Sequence, residues 1–197
     1  MNNIGSKQLE TNRLVLKAQT MDEQKYLWTL LINPMVNKYY LIGPEILKET
    51  INDWNIQEKF YLNKMKHSND LDNYSWSIFL KENNKCIGMI TCGEINKFEK
   101  DVRDIGWYLD PLYQGKGYCT EAAKKMIDFM FRDVNISKII TSAAIQNRAS
   151  WRVMEKLNFI RLDETKMIKY LFLDEEVENY QYVLTKEMYL KGITNDQ

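Results

Sequence analysis

The segment 105–122, IGWYLDPLYQGKGYCTEA, constrains the fold of this chain more than any other segment. It begins with a short apolar run (Ile105–Leu109), passes an Asp-Pro pair and the glycine-bearing turn Gln114–Gly117, and continues as an amphipathic stretch. Backbone N–H groups at the start of a helix have no intrahelical partners and lie at the positive end of the helix dipole. Because glycine has no Cβ, Gly115 and Gly117 let a bulky anion approach closely. The strand, glycine turn and helix start therefore predict a site for a phosphate-bearing cofactor.

The composition is that of an ordinary folded domain. The chain has 197 residues, of which 45% are hydrophobic and 27% are charged, so it is long enough for a substantial core. We predict a single domain over residues 1–197. Lys+Arg and Asp+Glu both number 27, and no net field attracts nucleic acid or an anionic membrane. No apolar run approaches the length of a membrane span. We therefore expect neither nucleic acid nor a membrane as partner.

Three cysteines, Cys86, Cys92 and Cys119, are scattered without the spacing of a metal site. An odd number of unclustered cysteines fits reduced thiols better than a disulfide framework. The first residues, MNNIGSKQLE, lack the apolar core of a secretion signal. These features predict a cytoplasmic protein without a bound metal.

Hydrophobic periodicity predicts a mixed α/β sheet. The predicted elements, in chain order, are a strand at 13–17, helices at 22–32 and 44–65, strands at 75–80, 86–95 and 103–109, a helix at 119–134, a strand at 136–145, a helix at 147–157, and strands at 160–172 and 177–185. The strands between 75 and 109 form an antiparallel meander, and the last two close as a hairpin. The order β-α-α-β-β-β-α-β-α-β-β lacks the regular βαβ repeats of a doubly wound fold.

Two well-known phosphate loops do not match the glycine turn. The Walker pattern G-x-x-x-x-G-K-S/T is absent from the sequence. The dinucleotide fingerprint G-x-G-x-x-G fails because Thr120 occupies the position of the third glycine. The preceding strands moreover form a meander and do not begin a βαβ unit.

The pattern that matches is the acetyl-CoA loop of the GCN5-related N-acetyltransferases (GNAT), Q/R-x-x-G-x-G/A, which Gln114–Cys119 resembles with a cysteine at the last position. The chain is similar, within this family, to the RimJ/RimL type of ribosomal-protein N-terminal acetyltransferases. The stretches that carry this similarity are Leu9-Glu10-Thr11 with Arg13-Leu14, 105–111, 115–122, 147–150 and 152–159. The last has Asn158 where the branch usually has glycine, and asparagine tolerates the same left-handed helix end.

The resemblance implies a GNAT-like fold, in which an antiparallel meander joins a βαβ-type cofactor half and the central strands splay apart. It also implies acetyl-CoA as cosubstrate. Backbone N–H groups from Gly115 to Thr120 are expected to hold the pyrophosphate, and the backbone of Trp107–Leu109 to pair with the pantetheine arm. The residues implied in binding acetyl-CoA are Trp107, Leu109, Gln114, Gly115, Lys116, Gly117, Tyr118, Cys119, Thr120, Asn147 and Ser150. Alternatively, the Lys116 side chain is solvated and does not contact the cofactor.

Acetyl transfer needs one group that takes a proton from the amine and another that protonates or stabilises the leaving thiolate. Many family members have a tyrosine where this chain has Met154, which cannot donate a proton. Ser150 is therefore the candidate acid. Glu94, near the end of its predicted strand, is the candidate base, acting directly or through a water. The alternatives are an N-cap role for Asn147, with Ser150 in the first helical turn, and a solvated Glu94.

The acceptor implied by the resemblance is a primary amine, either a protein N-terminus or a small molecule, that attacks the thioester directly. Aromatic residues crowd the N-terminal half, where related enzymes build the acceptor pocket: Tyr39, Tyr40, Trp54, Tyr61 and Tyr74. His67, the single histidine, lies in a polar stretch and is interpreted as solvated. Two alternatives remain, a non-catalytic CoA-binding module and a nucleotide-binding oxidoreductase, and the meander argues against the second. The oligomeric state is open, with a homodimer among the alternatives.

Overall fold

The computed structural model describes residues 4–40, 74–95, 98–170 and 173–195. Its elements are β1 (Leu9–Glu10), β2 (Leu14–Ala18), α1 (Met21–Leu31), α2 (Pro34–Asn37), β3 (Tyr74–Leu80), β4 (Cys86–Glu94), β5 (Val102–Leu109), a 3-10 turn (Pro111–Tyr113), α3 (Tyr118–Phe129) continued by a π-helical turn (Met130–Val134), β6 (Lys138–Ala144), α4 (Arg148–Lys156), β7 (Ile160–Tyr170), β8 (Glu175–Thr185) and α5 (Lys186–Asn195). Among the helices of these ranges, none combines the length and apolarity needed to cross a membrane.

The eight strands of the described residues form one sheet in the order β1-β2-β3-β4-β5-β6-β8-β7. Neighbouring strands are antiparallel, except for β5 and β6, which are parallel. The predicted mixed sheet, its meander and its closing hairpin are confirmed. The single parallel pair in the middle of the sheet is the feature that positions the site described below.

Helices cover both faces of the sheet. Along β4 and β5 the side chains alternate between the faces. Cys92 and Ile105 join the larger core cluster together with Met126 of α3. Met89 and Tyr108 pack on the other side, with the buried residues of α1. The sheet therefore separates an α3 layer from an α1 layer.

Helix α1 is fixed by a buried carboxylate. Glu23 accepts hydrogen bonds from the Thr20 N–H group at 2.8 Å and from the Thr20 hydroxyl at 2.5 Å, which completes a capping box. The same side chain accepts from the hydroxyl of Ser77 in β3 at 2.6 Å. One acidic residue thus starts the helix and attaches it to the sheet.

Several elements differ from those predicted. The two-residue β1, the one-turn α2 and the C-terminal α5 were not predicted, because the first two are too short to show a periodicity and the third has no wide apolar face. The helix predicted at 119–134 is present, but its last turn is π-helical. Asn158 has a φ of 63°, so the predicted left-handed helix end is confirmed. The helix predicted at 44–65 and the residues Trp54, Tyr61 and His67 lie outside the described residues.

Candidate functional site

The sheet divides between β5 and β6. These strands pair at Val102–Lys138 and Arg103–Ile139, and from there β5 continues along β4 while β6 continues along β8. The last link between them is a hydrogen bond from the Thr141 hydroxyl to the Ile105 carbonyl oxygen at 3.1 Å. The two strands thus form a fork that opens toward their C-terminal ends.

The open edge of β5 presents backbone groups to the fork. In an antiparallel pair, successive residues point their N–H and C=O groups alternately toward the partner strand and away from it. The Asp110 N–H group donates to Ile87 at 2.8 Å, whereas the Ile105 carbonyl faces β6. Trp107 and Leu109, which follow Ile105 at two-residue steps, therefore turn their backbone groups into the fork. Both residues were selected from the sequence for this role.

The glycine turn follows the open end of β5. Gly115 has a φ of 74° and Gly117 a φ of 81°, values that residues with a Cβ rarely adopt. Gly117 is the N-cap of α3, and its carbonyl accepts from the Glu121 N–H group at 3.0 Å. The N–H groups of residues 117–120 precede this bond and have no intrahelical acceptors. The turn and the first residues of α3, including Tyr118, Cys119 and Thr120, are therefore suited to binding an anion.

The two polar side chains of the turn contact the protein itself. Gln114 donates from Nε2 to the Leu109 carbonyl oxygen at 3.0 Å, which ties the turn to the end of β5. The Lys116 ammonium lies 5.2 Å from the ring centroid of Tyr113, and the Lys85 ammonium lies 5.0 Å from the same centroid. Gln114 therefore shapes the turn, in addition to any contact it makes with a ligand.

Helix α4 starts at the open end of β6. Asn147 caps this helix, because its Oδ1 accepts from the Ser150 N–H group at 3.4 Å. The Asn147 N–H group donates to Ala144 at 2.8 Å, which links the cap to the end of β6. Helices α3 and α4 contact each other, so the starts of both helices lie beside the open end of the fork. Met154, further along α4, is buried in the core.

Glu94 lies at the closed end of the fork. It is the last residue of β4 and is paired with Arg103, whose Nη1 atom is 4.0 Å from Glu94 Oε1. Arg103 is fully buried, so the carboxylate of Glu94 helps to balance a charge in the core. Ala144, at the end of β6, is five residues beyond Ile139, which is about 16 Å along the fork at about 3.3 Å per residue. Ser150 comes after Ala144, in the first turn of α4, and so belongs to the open end. The structure does not bring Glu94 and Ser150 together.

A carboxylate that the sequence analysis did not select lies at the point of divergence. Asp104 Oδ1 accepts from the Ile105 N–H group at 2.8 Å. Although Asp104 keeps solvent-exposed surface, desolvation by the surrounding protein raises the pKa of its carboxyl group, against the effect of hydrogen bonds with Thr141 and the Ile105 N–H group. A carboxylate with a raised pKa in a cleft is suited to proton transfer. The available signal was an acidic residue inside a strand that is apolar from Ile105 onward.

The aromatic residues of the N-terminal half have different environments. Tyr40 packs edge-on against Tyr108, with 5.4 Å between ring centroids. Desolvation and the charge of Asp104 together raise the pKa of Tyr40 to about 12. Tyr39 packs edge-on against Tyr170 at 5.8 Å. Tyr74, by contrast, stacks on Trp76 in the core. Tyr39 and Tyr40 are thus the described candidates for the acceptor side.

The three cysteines are free thiols. Burial raises the pKa of Cys86 to about 11 and that of Cys119 to about 12, and it raises the pKa of Cys92 further. Thiols with raised pKa values are weak nucleophiles near neutral pH. This agrees with a transfer that does not pass through a covalent cysteine adduct.

A forked mixed sheet with a glycine turn and a helix start at its open end is the arrangement of the GNAT class. Residues 13–160 match the family described as "Acetyltransferase (GNAT) domain". The match covers most of the chain, and the protein belongs to the GNAT acetyltransferase family.

Several relatives in the same family have similar sequences. The "Uncharacterized N-acetyltransferase YnaD" of Bacillus subtilis is 32% identical over 103 residues, which are 52% of this chain and 58% of the relative. The "Probable N-acetyltransferase YjcK" of the same species is 30% identical over 45% of this chain and 49% of its own length. The similarity thus spans about half the length of these two relatives. The "Uncharacterized N-acetyltransferase p20" of Bacillus licheniformis is 29% identical over 77% of this chain and 81% of its own.

Solved structures share the fold. A spermidine N-acetyltransferase from Vibrio cholerae, solved in complex with CoA and spermine, superposes with a TM-score of 0.76 at 18% identity, over 91% of this chain and 99% of the other. A ribosomal-protein-S5-alanine acetyltransferase from Vibrio fischeri superposes with a TM-score of 0.73 at 19% identity, over 93% and 99% of the two chains. The predicted GNAT-like fold is confirmed.

Proposed function

We propose that the protein is an acetyl-CoA-dependent N-acetyltransferase that transfers the acetyl group to a primary amine. The observation that carries this proposal is the combination of two backbone surfaces at the open end of the fork. One is the set of N–H groups at 117–120, and the other is the edge of β5 at Trp107 and Leu109. Membership of the GNAT family supports the same reaction class.

The residues present fit coenzyme A. Its diphosphate would accept hydrogen bonds from the N–H groups between Gly115 and Thr120 at the positive end of α3. Its pantetheine arm would lie along Trp107 and Leu109 like an added strand, because both residues turn backbone groups into the fork. At Leu109 the arm would use the N–H group, since the carbonyl oxygen already accepts from Gln114. Asn147, the N-cap of α4, is proposed to contact the arm from the start of this helix. When bound, acetyl-CoA supplies the activated thioester.

The chain also offers groups for polarisation and proton transfer. A backbone N–H group at the end of β5 would stabilise negative charge on the thioester oxygen. Ser150 is the proposed donor to the leaving thiolate. Glu94 remains the proposed base; because it lies at the closed end of the fork, away from Ser150, it would take the proton through water and not directly. Asp104 is a second candidate because it lies at the point where the fork divides. Replacing each carboxylate separately distinguishes the two.

The acceptor is proposed to be a protein N-terminus or a small amine. The RimJ/RimL resemblance favours a protein N-terminus. A spermidine N(1)-acetyltransferase of Vibrio cholerae, 23% identical over 91% of this chain, favours a small amine. We further propose a cytoplasmic location with neither nucleic acid nor membrane as partner, and a homodimer is the assembly to test first.

A non-catalytic CoA-binding module is the second candidate function. It is favoured by Met154, which stands at the position of the family's tyrosine acid and is buried in the core. No such observation supports a nucleotide-binding oxidoreductase. The dinucleotide-binding fold needs a mostly parallel sheet, whereas β5 and β6 are parallel over only two residue pairs within these strands.

The test combines binding and turnover. Calorimetry with CoA is expected to give a saturable signal, and radiolabelled acetyl-CoA is expected to label at least one member of a panel of peptides with free N-termini, polyamines and amino sugars. Binding without labelling of any acceptor would support the non-catalytic module. Absence of binding would contradict both candidate functions.

A further inference from the structure

The segment that enters β2 is attached to the first turn of α3 by an acidic side chain. Glu121 accepts at Oε1 from the Thr11 hydroxyl at 2.5 Å and from the Arg13 N–H group at 2.9 Å. Its other oxygen, Oε2, accepts from Arg13 Nε at 2.7 Å and lies 2.6 Å from Arg13 Nη2. The guanidinium and the carboxylate therefore form a two-point ion pair between residues 108 positions apart in the chain.

Arg13 also touches the glycine turn directly. Its Nη1 donates to the Lys116 carbonyl oxygen at 3.1 Å. Its guanidinium lies over the Tyr118 ring, 4.4 Å from the centroid. A Cβ atom placed on Gly117 would lie 3.5 Å from Arg13 Nη2. One side chain thus contacts Lys116 and Tyr118, on either side of Gly117, in the turn that begins α3.

The contact with Lys116 determines where the next N–H group points. The carbonyl of Lys116 and the N–H group of Gly117 belong to one planar trans peptide, in which they point in opposite directions. Because Arg13 holds the carbonyl oxygen, the Gly117 N–H group is turned away from Arg13. It is therefore available to a ligand on the opposite side of the turn.

The ion pair also controls the charge of the first turn. An acidic residue there is favourable for the helix dipole but repels a bound anion. Burial opposes ionisation of Glu121, but hydrogen bonds from Thr11 and Arg13 and the charge of Arg13 lower the pKa of its carboxyl group. Glu121 is therefore charged at neutral pH, and Arg13 balances that charge beside the turn.

We propose that Arg13 and Glu121 are positioning residues for coenzyme A, which orient and neutralise the turn at 116–118 so that its N–H groups bind the diphosphate. This inference rests on the proposed function. Arg13 acts through the backbone of the turn, so its loss should weaken binding of the diphosphate without affecting the chemistry at the thioester.

The test compares Arg13→Ala with Arg132→Ala. Arg132 is a matched control because it also forms an ion pair with an acidic residue, Asp128, and its side chain is 49% exposed against 47% for Arg13. Each protein is titrated with CoA and with pantetheine, which lacks the diphosphate, and assayed with acetyl-CoA and acetyl-pantetheine. For Arg13→Ala, we expect the Kd for CoA and the KM for acetyl-CoA to rise about tenfold while kcat changes less than about twofold. Values for the pantetheine compounds, and all values for Arg132→Ala, should stay unchanged.

Three outcomes would overturn the inference. An unchanged Kd for CoA in Arg13→Ala would show that the turn does not depend on Arg13. An equal loss for CoA and pantetheine would show a general structural role. If the native protein does not distinguish CoA from pantetheine, the proposed diphosphate site itself fails, and the inference fails with it.

A second variant covers the case in which Arg13→Ala does not fold. Arg13→Lys keeps the charge but not the two-point geometry, and an unchanged Kd for CoA in that variant would contradict the inference.

Discussion

The hydroxyl of Thr141 donates to the carbonyl oxygen of Ile105 at 3.1 Å, at the point where β5 and β6 part. The N–H group of the same residue, Ile105, donates to the Asp104 carboxylate at 2.8 Å. Backbone groups without a partner are costly away from water. Two side chains thus replace the strand partner that Ile105 loses, and both backbone groups of Ile105 are hydrogen-bonded where the sheet divides.

The role of Asp104 predicts a specific effect of charge removal. If Asp104 is the base, Asp104→Asn should lower kcat/KM by about 100-fold or more and should abolish the acidic limb of the pH–rate profile. In the native enzyme that limb should lie above the pH of an ordinary aspartate, because the pKa of Asp104 is raised and the ionised form takes the proton. The measurement is kcat/KM against pH for both proteins.

The stability of this variant has a defined sign. A carboxyl group whose pKa is raised by folding contributes stability below its unfolded pKa and loses that contribution as the pH rises through the folded value. Asp104→Asn should therefore be at least as stable as the native protein at pH 7.

For the identity of the base, Glu94→Gln is the matched comparison with Asp104→Asn. If it removes the acidic limb and Asp104→Asn does not, then Glu94 is the base.

Two glycines with positive φ angles, Gly88 at 156° and Gly115 at 74°, differ in the steric cost that a Cβ would add. A Cβ on Gly88 would lie 2.2 Å from the Tyr108 carbonyl oxygen and 2.9 Å from the Leu109 Cα, whereas one on Gly115 would meet no atom within 4 Å. Gly88→Ala should lower the free energy of unfolding by about 3 kcal/mol through overpacking. Gly115→Ala should lower it by about 1 kcal/mol through its positive φ alone. Urea unfolding of both variants checks the difference, and equal losses would contradict the packing argument.

Glu121 should contribute stability that depends on pH. Its pKa is lowered in the folded state, so its contribution is present above the unfolded pKa of about 4.3 and is lost as the pH falls through the folded value. Glu121→Gln should lower the free energy of unfolding at pH 7 by about 1 kcal/mol, since Arg13 is half exposed. The difference should shrink as the pH falls below the unfolded pKa and through the lowered folded pKa of Glu121. A difference that is constant with pH would contradict the ion pair.

The start of α4 offers a test that separates capping from chemistry. Asn147→Ala removes the N-cap and should cost about 1 kcal/mol of stability. Ser150→Ala keeps the cap acceptor and, if Ser150 protonates the leaving thiolate, should lower kcat about 100-fold with little change in the Kd for CoA. Thiol release at saturating acetyl-CoA measures this. An unchanged kcat would exclude Ser150 as the acid.

The features that could be predicted from the sequence are local or carried by a family pattern. The glycine turn at Gly115 and Gly117 was predicted from its residues, and Asn158 takes the left-handed conformation expected of it. The fork was expected from the family resemblance and not from hydrophobic periodicity. Periodicity indicates which side chains are buried, whereas the fork depends on where the backbone of Ile105 stops pairing with β6. The pair of Arg13 and Glu121 could not be predicted, since nothing in either local segment indicates a contact over 108 positions.

The central claim is that backbone N–H groups at the start of α3 bind the diphosphate of coenzyme A. The most direct measurement is a ¹⁵N-resolved NMR titration of the native protein with CoA and, separately, with pantetheine. We predict that the amide signals of residues between Gly115 and Thr120 shift on addition of CoA and do not shift with pantetheine. Saturable CoA binding that leaves these amide signals unmoved would contradict the claim.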